Sequence, residues 1–503
     1  MLKKIRVTIA CLFFTLLTFL FLDFTGVAHK WFGWLAKIQL IPAVLAVNVV
    51  IIVVLVLLTI IFGRIYCSVI CPLGIFQDSV SSVSKKIKGK KARFTYSRAK
   101  SWLRYGVLAM FVIALIAGVS VIVSLLDPYA AYGRMASNFL TPVYYLGNNL
   151  LAWLAERFDS YAFYSVDVWI KAWITFGVSV ITLMVVSILA WRNGRTYCNT
   201  ICPVGTVLGF LSRFSLLRTV FDVDKCTKCK VCERNCKASC IDTKNMYIDH
   251  SRCVSCFNCI DKCKFGAINY TLAIGKKKNK TVPNDDATDN ADKKGMSRRS
   301  ALSIVGLLAV GSTVKAQQLH VDGGLATIED KKIPNRKTPI VPPGAASLKN
   351  MKAHCTACQL CVSACPNGVL RPSNKLATLM QPEMSFERGY CRPECVECSQ
   401  VCPTGAIKPI TKLDKAALSI GHAVWIKDNC VVNTDGVQCN NCQRHCPTGS
   451  VMLVPLDPND SSSLKIPSID TGYCIGCGAC ENLCPARPFS AIYVEGNVRH
   501  HSF

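Results

Sequence analysis

Cysteine grouping constrains this chain more than any other feature: of 30 cysteines in 503 residues, 24 fall into six tight sets of four. A disulfide framework scatters cysteines to staple distant loops, whereas sets spaced two or three residues apart suit metal ligation by thiolates. The rest of the composition points elsewhere. Half of the chain is hydrophobic (51%) and its mean hydropathy is positive, which ordinary soluble domains do not show. The chain is therefore part metal protein and part membrane protein.

The first two sets, CTKCKVCERNC and CVSCFNCIDKC, lie between Cys226 and Cys263. Both follow C-x2-C-x2-C-x3-C, a spacing in which three close thiols hold one [4Fe–4S] cube and the fourth reaches the other. This predicts one cluster on Cys226, Cys229, Cys232 and Cys263, and a second on Cys253, Cys256, Cys259 and Cys236. A zinc ribbon also uses C-x2-C pairs, but two complete sets of four argue against it. Lys237 and Lys264 stand where proline usually follows the fourth cysteine, and Cys240 is a spare.

Four further sets follow: Cys355, Cys358, Cys361 and Cys365; Cys391, Cys395, Cys398 and Cys402; Cys430, Cys439, Cys442 and Cys446; and Cys474, Cys477, Cys480 and Cys484. Each ends in Cys-Pro, as cluster motifs do. The second and third depart from the plain spacing, with three residues after Cys391 and eight after Cys430. Six [4Fe–4S] clusters are expected in all. Spacing leaves open whether the last four sets pair as neighbours or nested.

The remaining cysteines sit mostly in a duplicated word. GRIYCSVICPLG (Gly63–Gly74) and GRTYCNTICPVG (Gly194–Gly205) each follow a long apolar run. Runs at 7–22, 40–62, 105–126 and 172–191 approach the roughly 20 residues a membrane helix needs. Lys3, Lys4 and Arg6 precede the first run, and a dense basic stretch from Lys85 to Arg104 joins the two halves. That distribution follows the positive-inside rule and puts the amino terminus and both words on the cytoplasmic side. The net charge of +27 is thereby explained without nucleic acid, since 39 basic residues face 16 acidic ones in 1–299 but only 19 face 15 in 300–503.

Parallel repeats about an axis along the membrane normal would bring Cys67, Cys71, Cys198 and Cys202 to one depth. A C-x3-C spacing puts both sulfurs on one face of a helical turn, and Pro72 and Pro203 mark a helix boundary. Three readings stand: a seventh iron–sulfur cluster on the four thiols, two dithiols, or structural turns.

After Ile274 a polar, charged stretch has too few apolar residues to pack. Directly behind it, SRRSALSIVGLLAVGSTVKAQQ (297–318) resembles a twin-arginine export signal through Ser297, Arg298, Arg299 and Leu302, with Ala301 where Phe is usual. A short buried helix, or a fifth membrane segment, is the alternative. Export after folding would carry preassembled clusters across a membrane. The expected segments are 1–220, a four-helix transmembrane bundle with an internal two-fold repeat; 221–275, a two-cluster ferredoxin-like α+β domain; 276–296, a linker; 297–318, the signal-like stretch; and 319–503, a four-cluster ferredoxin domain.

At these motifs the chain resembles known families. Residues 1–275 look like NapH-type membrane ferredoxins and, more distantly, NosR- and CcoG-type polyferredoxins, while residues from 297 resemble NapG/MauM-type periplasmic ferredoxins. The resemblance implies a fusion of two electron-transfer subunits in the inner membrane, multi-pass, with 221–275 cytoplasmic and 319–503 periplasmic. Menaquinol is the implied donor, and a periplasmic reductase or cytochrome the acceptor. The CcoG likeness leaves a second role, supplying electrons for maturation of a metalloenzyme.

No C-x-x-C-H occurs, so no c-type haem is expected, and no histidine falls within the four apolar runs to hold a b haem. No catalytic residue is assigned. In LLDPYAAYGRM, Asp127, Tyr129 and Arg134 are candidates to meet a quinol at the outward surface. The structural alternative is a helix-ending Asp-Pro, a belt tyrosine and a solvated arginine.

Overall fold

Apolar, helix-compatible sequence dominates the first 211 residues, and most of the described ones fold as helices. The computed structural model describes the chain except residues 24–25, 90–93, 273–320, 323–325 and 328. Its helices here are α1 (Leu2–Leu22), α2 (Val27–Phe32), α3 (Trp34–Lys37), α4 (Leu40–Leu45), α5 (Val49–Phe62), α6 (Tyr66–Val69), α7 (Pro72–Lys88), α8 (Ser101–Ile116), α9 (Ser120–Leu126), α10 (Pro128–Met135), α11 (Thr141–Glu156), α12 (Trp173–Asn193), α13 (Thr196–Thr200) and α14 (Pro203–Leu211). The expected linker 276–296 and signal-like stretch 297–318 lie outside the described residues.

Among the described residues, α1 and α12, of 21 residues each, are the helices long and apolar enough to cross a membrane. At 1.5 Å per residue each reaches about 30 Å. The expectation of four continuous spans is corrected at the other two runs. The run 40–62 breaks into α4 and α5 at Val47, which is left-handed (φ 52°), and Asn48 caps α5 by accepting the Ile51 amide at 3.2 Å. The run 105–126 breaks between α8 and α9 at Gly118 (φ 70°). A single asparagine or glycine lowers the apolar content of a 22- or 23-residue run only slightly, so the hydropathy pattern did not register either break.

The helices are not apolar on their inner side alone. Leu12, Val50, Val53, Ile113, Ile116, Ile181 and Ile188 are exposed on α1, α5, α8 and α12. The inner core is built from Leu17, Leu20 and Phe21 of α1 with Tyr66, Tyr129 and Leu208.

The cysteine-rich units sit at the two ends of α1. Strand β1 (Leu217–Phe221) pairs antiparallel with β4 (Ile268–Leu272), and β2 (Ile241–Asp242) with β3 (Tyr247–Ile248). This unit is fixed where α1 starts and α5 ends. Lys3 pairs with Asp261 at 2.8 Å, the Leu216 amide donates to Ile60 O at 2.8 Å, and Tyr270 Oη donates to Phe62 O at 2.9 Å.

The C-terminal unit has as its spine the antiparallel pair Leu418–Trp425 with Ile492–Ser502. It docks near the far end of α1, where the helix Leu360–Ser363 packs on it. Ser137 and Ser363 hydroxyls lie 2.9 Å apart, Lys171 Nζ donates to Val362 O at 2.8 Å, and the Trp169 ring is flanked by Arg371 and Arg388 at 4.4 and 4.6 Å. The two units are therefore separated by the helical layer.

Candidate iron–sulfur sites

The plain C-x2-C-x2-C segments fold alike because the same two positions turn left-handed. They are Lys228 and Lys230, Ser255 and Phe257, Ala357 and Gln359, and Gly476 and Gly478, all with φ between 48° and 78°. Left-handed residues in such a loop turn successive backbone N–H groups to one side and make a concavity for an anion. Most of these positions carry a side chain, which costs conformational energy that a bound group must offset. At Gly478 a side chain has no room, since a Cβ there would meet the Phe386 ring at 2.2 Å.

Cys226, Cys229, Cys232 and Cys263 line one cavity, the set that spacing predicts. The second predicted set also converges, with Cys236 and Cys253 in electrostatic reach of both Cys256 and Cys259. In the C-terminal unit the sets pair as neighbours. Cys402 joins Cys355, Cys358 and Cys361, while Cys365 joins Cys391, Cys395 and Cys398. One cavity gathers Cys446 with Cys474, Cys477 and Cys480, and another gathers Cys484 with Cys430, Cys439 and Cys442. Each fourth cysteine thus crosses to the partner set, and the first ligands left doubtful by spacing, Cys391 and Cys430, take their places.

These shells fit a polynuclear group. Each set brings four thiols together, the number that the four irons of one cube require at their outer positions. Burial pushes the thiols of Cys358 and Cys477 up to about 12 and that of Cys442 up to about 11, so thiolates there need a positive partner that iron would supply. Cys391 already has one, the Lys415 ammonium 3.1 Å from its sulfur. Cys240 is buried with its sulfur 3.5 Å from that of Cys236.

The duplicated words fold into one place. Cys67, Cys71, Cys198 and Cys202 are all buried, and both Cys71 and Cys67 lie in electrostatic reach of Cys198 and Cys202. The expected single helical turn is interrupted: Cys67 and Cys198 lie in α6 and α13, whereas Cys71 and Cys202 are the N-caps of α7 and α14, which start at Pro72 and Pro203. Proline at the first helical position forces that break. Cys202 Sγ accepts the Gly205 amide at 3.4 Å, and Gln77 Nε2 donates to Cys198 Sγ at 3.2 Å.

Charges close the site. Arg64 Nη2 donates to Cys198 O at 3.2 Å and Arg195 Nη1 to Cys67 O at 2.6 Å, so each repeat's arginine crosses to the other. Asp78 receives Arg195 at 2.9 Å, Arg6 at 3.0 Å and Lys237 at 3.5 Å. Burial alone would raise its carboxyl, but Arg195, Lys237 and Arg6 hold it well below the usual range. Lys237, out of place in a ferredoxin motif, is explained by this contact.

Asp127, Tyr129 and Arg134 are not at an open outward surface. All three are buried, lying between the four-cysteine site and the C-terminal unit. Arg134 donates to Ala357 O at 3.4 Å and Ser124 O at 2.9 Å, and Asp127 accepts the Tyr129 amide at 3.0 Å. The C-terminal unit covers this face.

Comparison with known proteins agrees with this chemistry. A family described as "4Fe-4S binding domain" matches at 44–91 and again at 173–221, over the two words, and "4Fe-4S dicluster domain" families match at 354–407 and 437–487. The chain is an iron–sulfur electron-transfer protein of ferredoxin type. It belongs to the family of the ferredoxin-type proteins MauM and NapG. MauM of Methylobacillus flagellatus is 32% identical over 188 residues, 36% of this chain and 74% of that protein. NapG of Escherichia coli is 30% identical over 176 residues, 32% of this chain and 74% of that protein. An uncharacterized protein of Methanocaldococcus jannaschii is 26% identical over 283 residues, 55% of this chain and 97% of its own length, while a second from that organism shares 37% over 75 residues, 30% of its length.

Proposed function

We propose that this protein is a multi-pass inner-membrane component that passes electrons from menaquinol towards a periplasmic reductase or cytochrome, its NapH-like half joined to an exported NapG-like half. The observation that carries the proposal is the placement of two cysteine-rich units at opposite ends of α1 with a third group of four cysteines between them. The apolar side chains exposed on α1, α5, α8 and α12 suit a lipid surround. Residues 221–275 would lie on the cytoplasmic side and 319–503 on the periplasmic side.

The ligands in this proposal are the six thiol sets described above, with Cys67, Cys71, Cys198 and Cys202 holding a seventh cluster. Bound clusters supply one-electron chemistry. The chain's residues fix the ligands, bury them from water, and supply counter-charge through Lys415 and Arg64. With Asp127, Tyr129 and Arg134 covered, a quinol site belongs elsewhere on the lipid-facing helices. The test is anaerobic addition of menaquinol to membranes holding the intact protein, followed by low-temperature EPR. Rapid reduction of a cluster-replete sample is the expected result; no reduction in such a sample contradicts the proposal.

A further inference from the structure

Each duplicated word contains one charged residue, and ligation by cysteine leaves it without a task. Arg64 and Arg195 are both fully buried. A guanidinium without counter-charge is costly inside a protein, so the groups around it disclose its role. Besides crossing to the other repeat's first cysteine carbonyl, each stands beside a thiol: Arg64 Nη2 lies 3.9 Å from Cys67 Sγ, and Arg195 Nη1 lies 3.9 Å from Cys198 Sγ. The words keep a glycine where the crossing arginine passes. A Cβ on Gly74 would stand 2.6 Å from Arg195 Nη1, and one on Gly205 would stand 2.9 Å from Arg64 Nη2.

The symmetry stops at the outer partners. Arg195 Nε is bound to the Asp78 carboxylate at 2.9 Å, an acceptor it shares with Arg6 and Lys237, so its guanidinium is tied into an ion-pair group. Arg64 donates instead to neutral acceptors, Asn199 Oδ1 at 2.8 Å, Ser251 O at 2.9 Å and Cys198 O at 3.2 Å. Neutral acceptors hold a guanidinium in place without reducing its net charge, so the field of Arg64 falls on the thiols.

We propose that Arg64 and Arg195 form a reciprocal clamp over one anionic iron–sulfur cluster shared by Cys67, Cys71, Cys198 and Cys202, with Arg64 as its uncompensated counter-charge. In this arrangement Arg195 is chiefly a positioning residue that locks one repeat to the other. The inference rests on the proposal that these four cysteines hold a cluster. A cluster with four thiolates carries about two negative charges, and reduction adds one more. A nearby positive charge therefore favours the reduced form, and removing it favours the oxidised one.

The experiment is a redox titration of the anaerobically isolated full-length protein, read by EPR, with iron determined on every sample. A Cys67→Ser, Cys198→Ser double variant supplies the difference spectrum that isolates this site. At the wild-type midpoint, Arg64→Gln should lower the reduced-to-oxidised ratio about tenfold, equivalent to about 59 mV for one electron. Arg64→Lys, which keeps the charge and loses the fork, should return the ratio to within about threefold. Arg195→Gln should leave the ratio within about threefold while lowering iron occupancy. The proposal is overturned if Arg64→Gln retains iron with an unchanged ratio, or if the lysine variant shifts or loses iron as the glutamine variant does. A difference spectrum with no signal has another meaning, that the four cysteines hold no cluster and the ligand assignment itself is wrong.

Discussion

The loops around Cys226 to Cys263 and the site around Cys67 and Cys198 gather four thiols in different ways. In the loops, three thiols come from one segment of seven residues, shaped by two left-handed positions, and only the fourth arrives from a neighbouring segment. In the central site each repeat supplies two thiols, and closure depends on arginines that cross between repeats. A local site is specified by spacing and survives changes elsewhere. A composite site holds only as well as the packing between its halves.

The comparison can be broken most sharply at Asp78. Three buried cations share its carboxylate, and Asp78→Asn leaves them without a counter-charge. A destabilisation of about 3–5 kcal/mol is expected, together with loss of iron from the central site before any loss from the ferredoxin loops, as followed by iron analysis during thermal unfolding. Next in size is Gly74→Ala. Its new methyl would stand 2.3 Å from Cys67 O, so the word must shift, whereas Gly266→Ala in the first ferredoxin unit meets no atom within 4 Å. Iron content should fall by one cluster in the first variant and stay unchanged in the second, although the left-handed backbone at Gly266 (φ 61°) costs it about 1 kcal/mol.

A smaller effect is expected at Trp169, which two guanidiniums flank. Trp169→Ala should remove about 1–2 kcal/mol from the docking of the C-terminal unit, seen as faster proteolysis within 329–503, with the cluster spectra unaltered. Smallest of all is Cys240→Ser. Its thiol touches Cys236 and is no member of a predicted set, so the second cluster should remain, and only its EPR line shape should change.

The sequence was most legible where chemistry is local. The gathering of Cys226, Cys229, Cys232 and Cys263 around one cavity could be read from spacing alone because the loop that holds three of them is seven residues long. The pairing of the last four sets could not, since Cys402 and Cys484 reach their partner sets through chain geometry that spacing does not carry. The breaks at Val47 and Gly118 were hidden by largely apolar surroundings, in which Asn48 and Ser120 are isolated polar residues. Asp127, Tyr129 and Arg134 were expected at an outward surface because nothing local announces that a domain more than 200 residues later covers them. One signal was present and unused: Arg64 and Arg195 stand at the same place in both words, next to Gly63 and Gly194. A charge repeated inside a duplicated cysteine motif marks a partner of the cysteines.

The central claim is that the chain holds one iron–sulfur shell for every thiol set, six in the two ferredoxin units and one between them. Iron and sulfide determination on the anaerobically isolated full-length protein, joined to Mössbauer spectroscopy, tests it most directly. The account predicts about 24 iron atoms from six [4Fe–4S] clusters, plus an increment that disappears in the Cys67→Ser, Cys198→Ser variant. Zinc in place of iron, or an iron content that the double variant leaves unchanged, would contradict it.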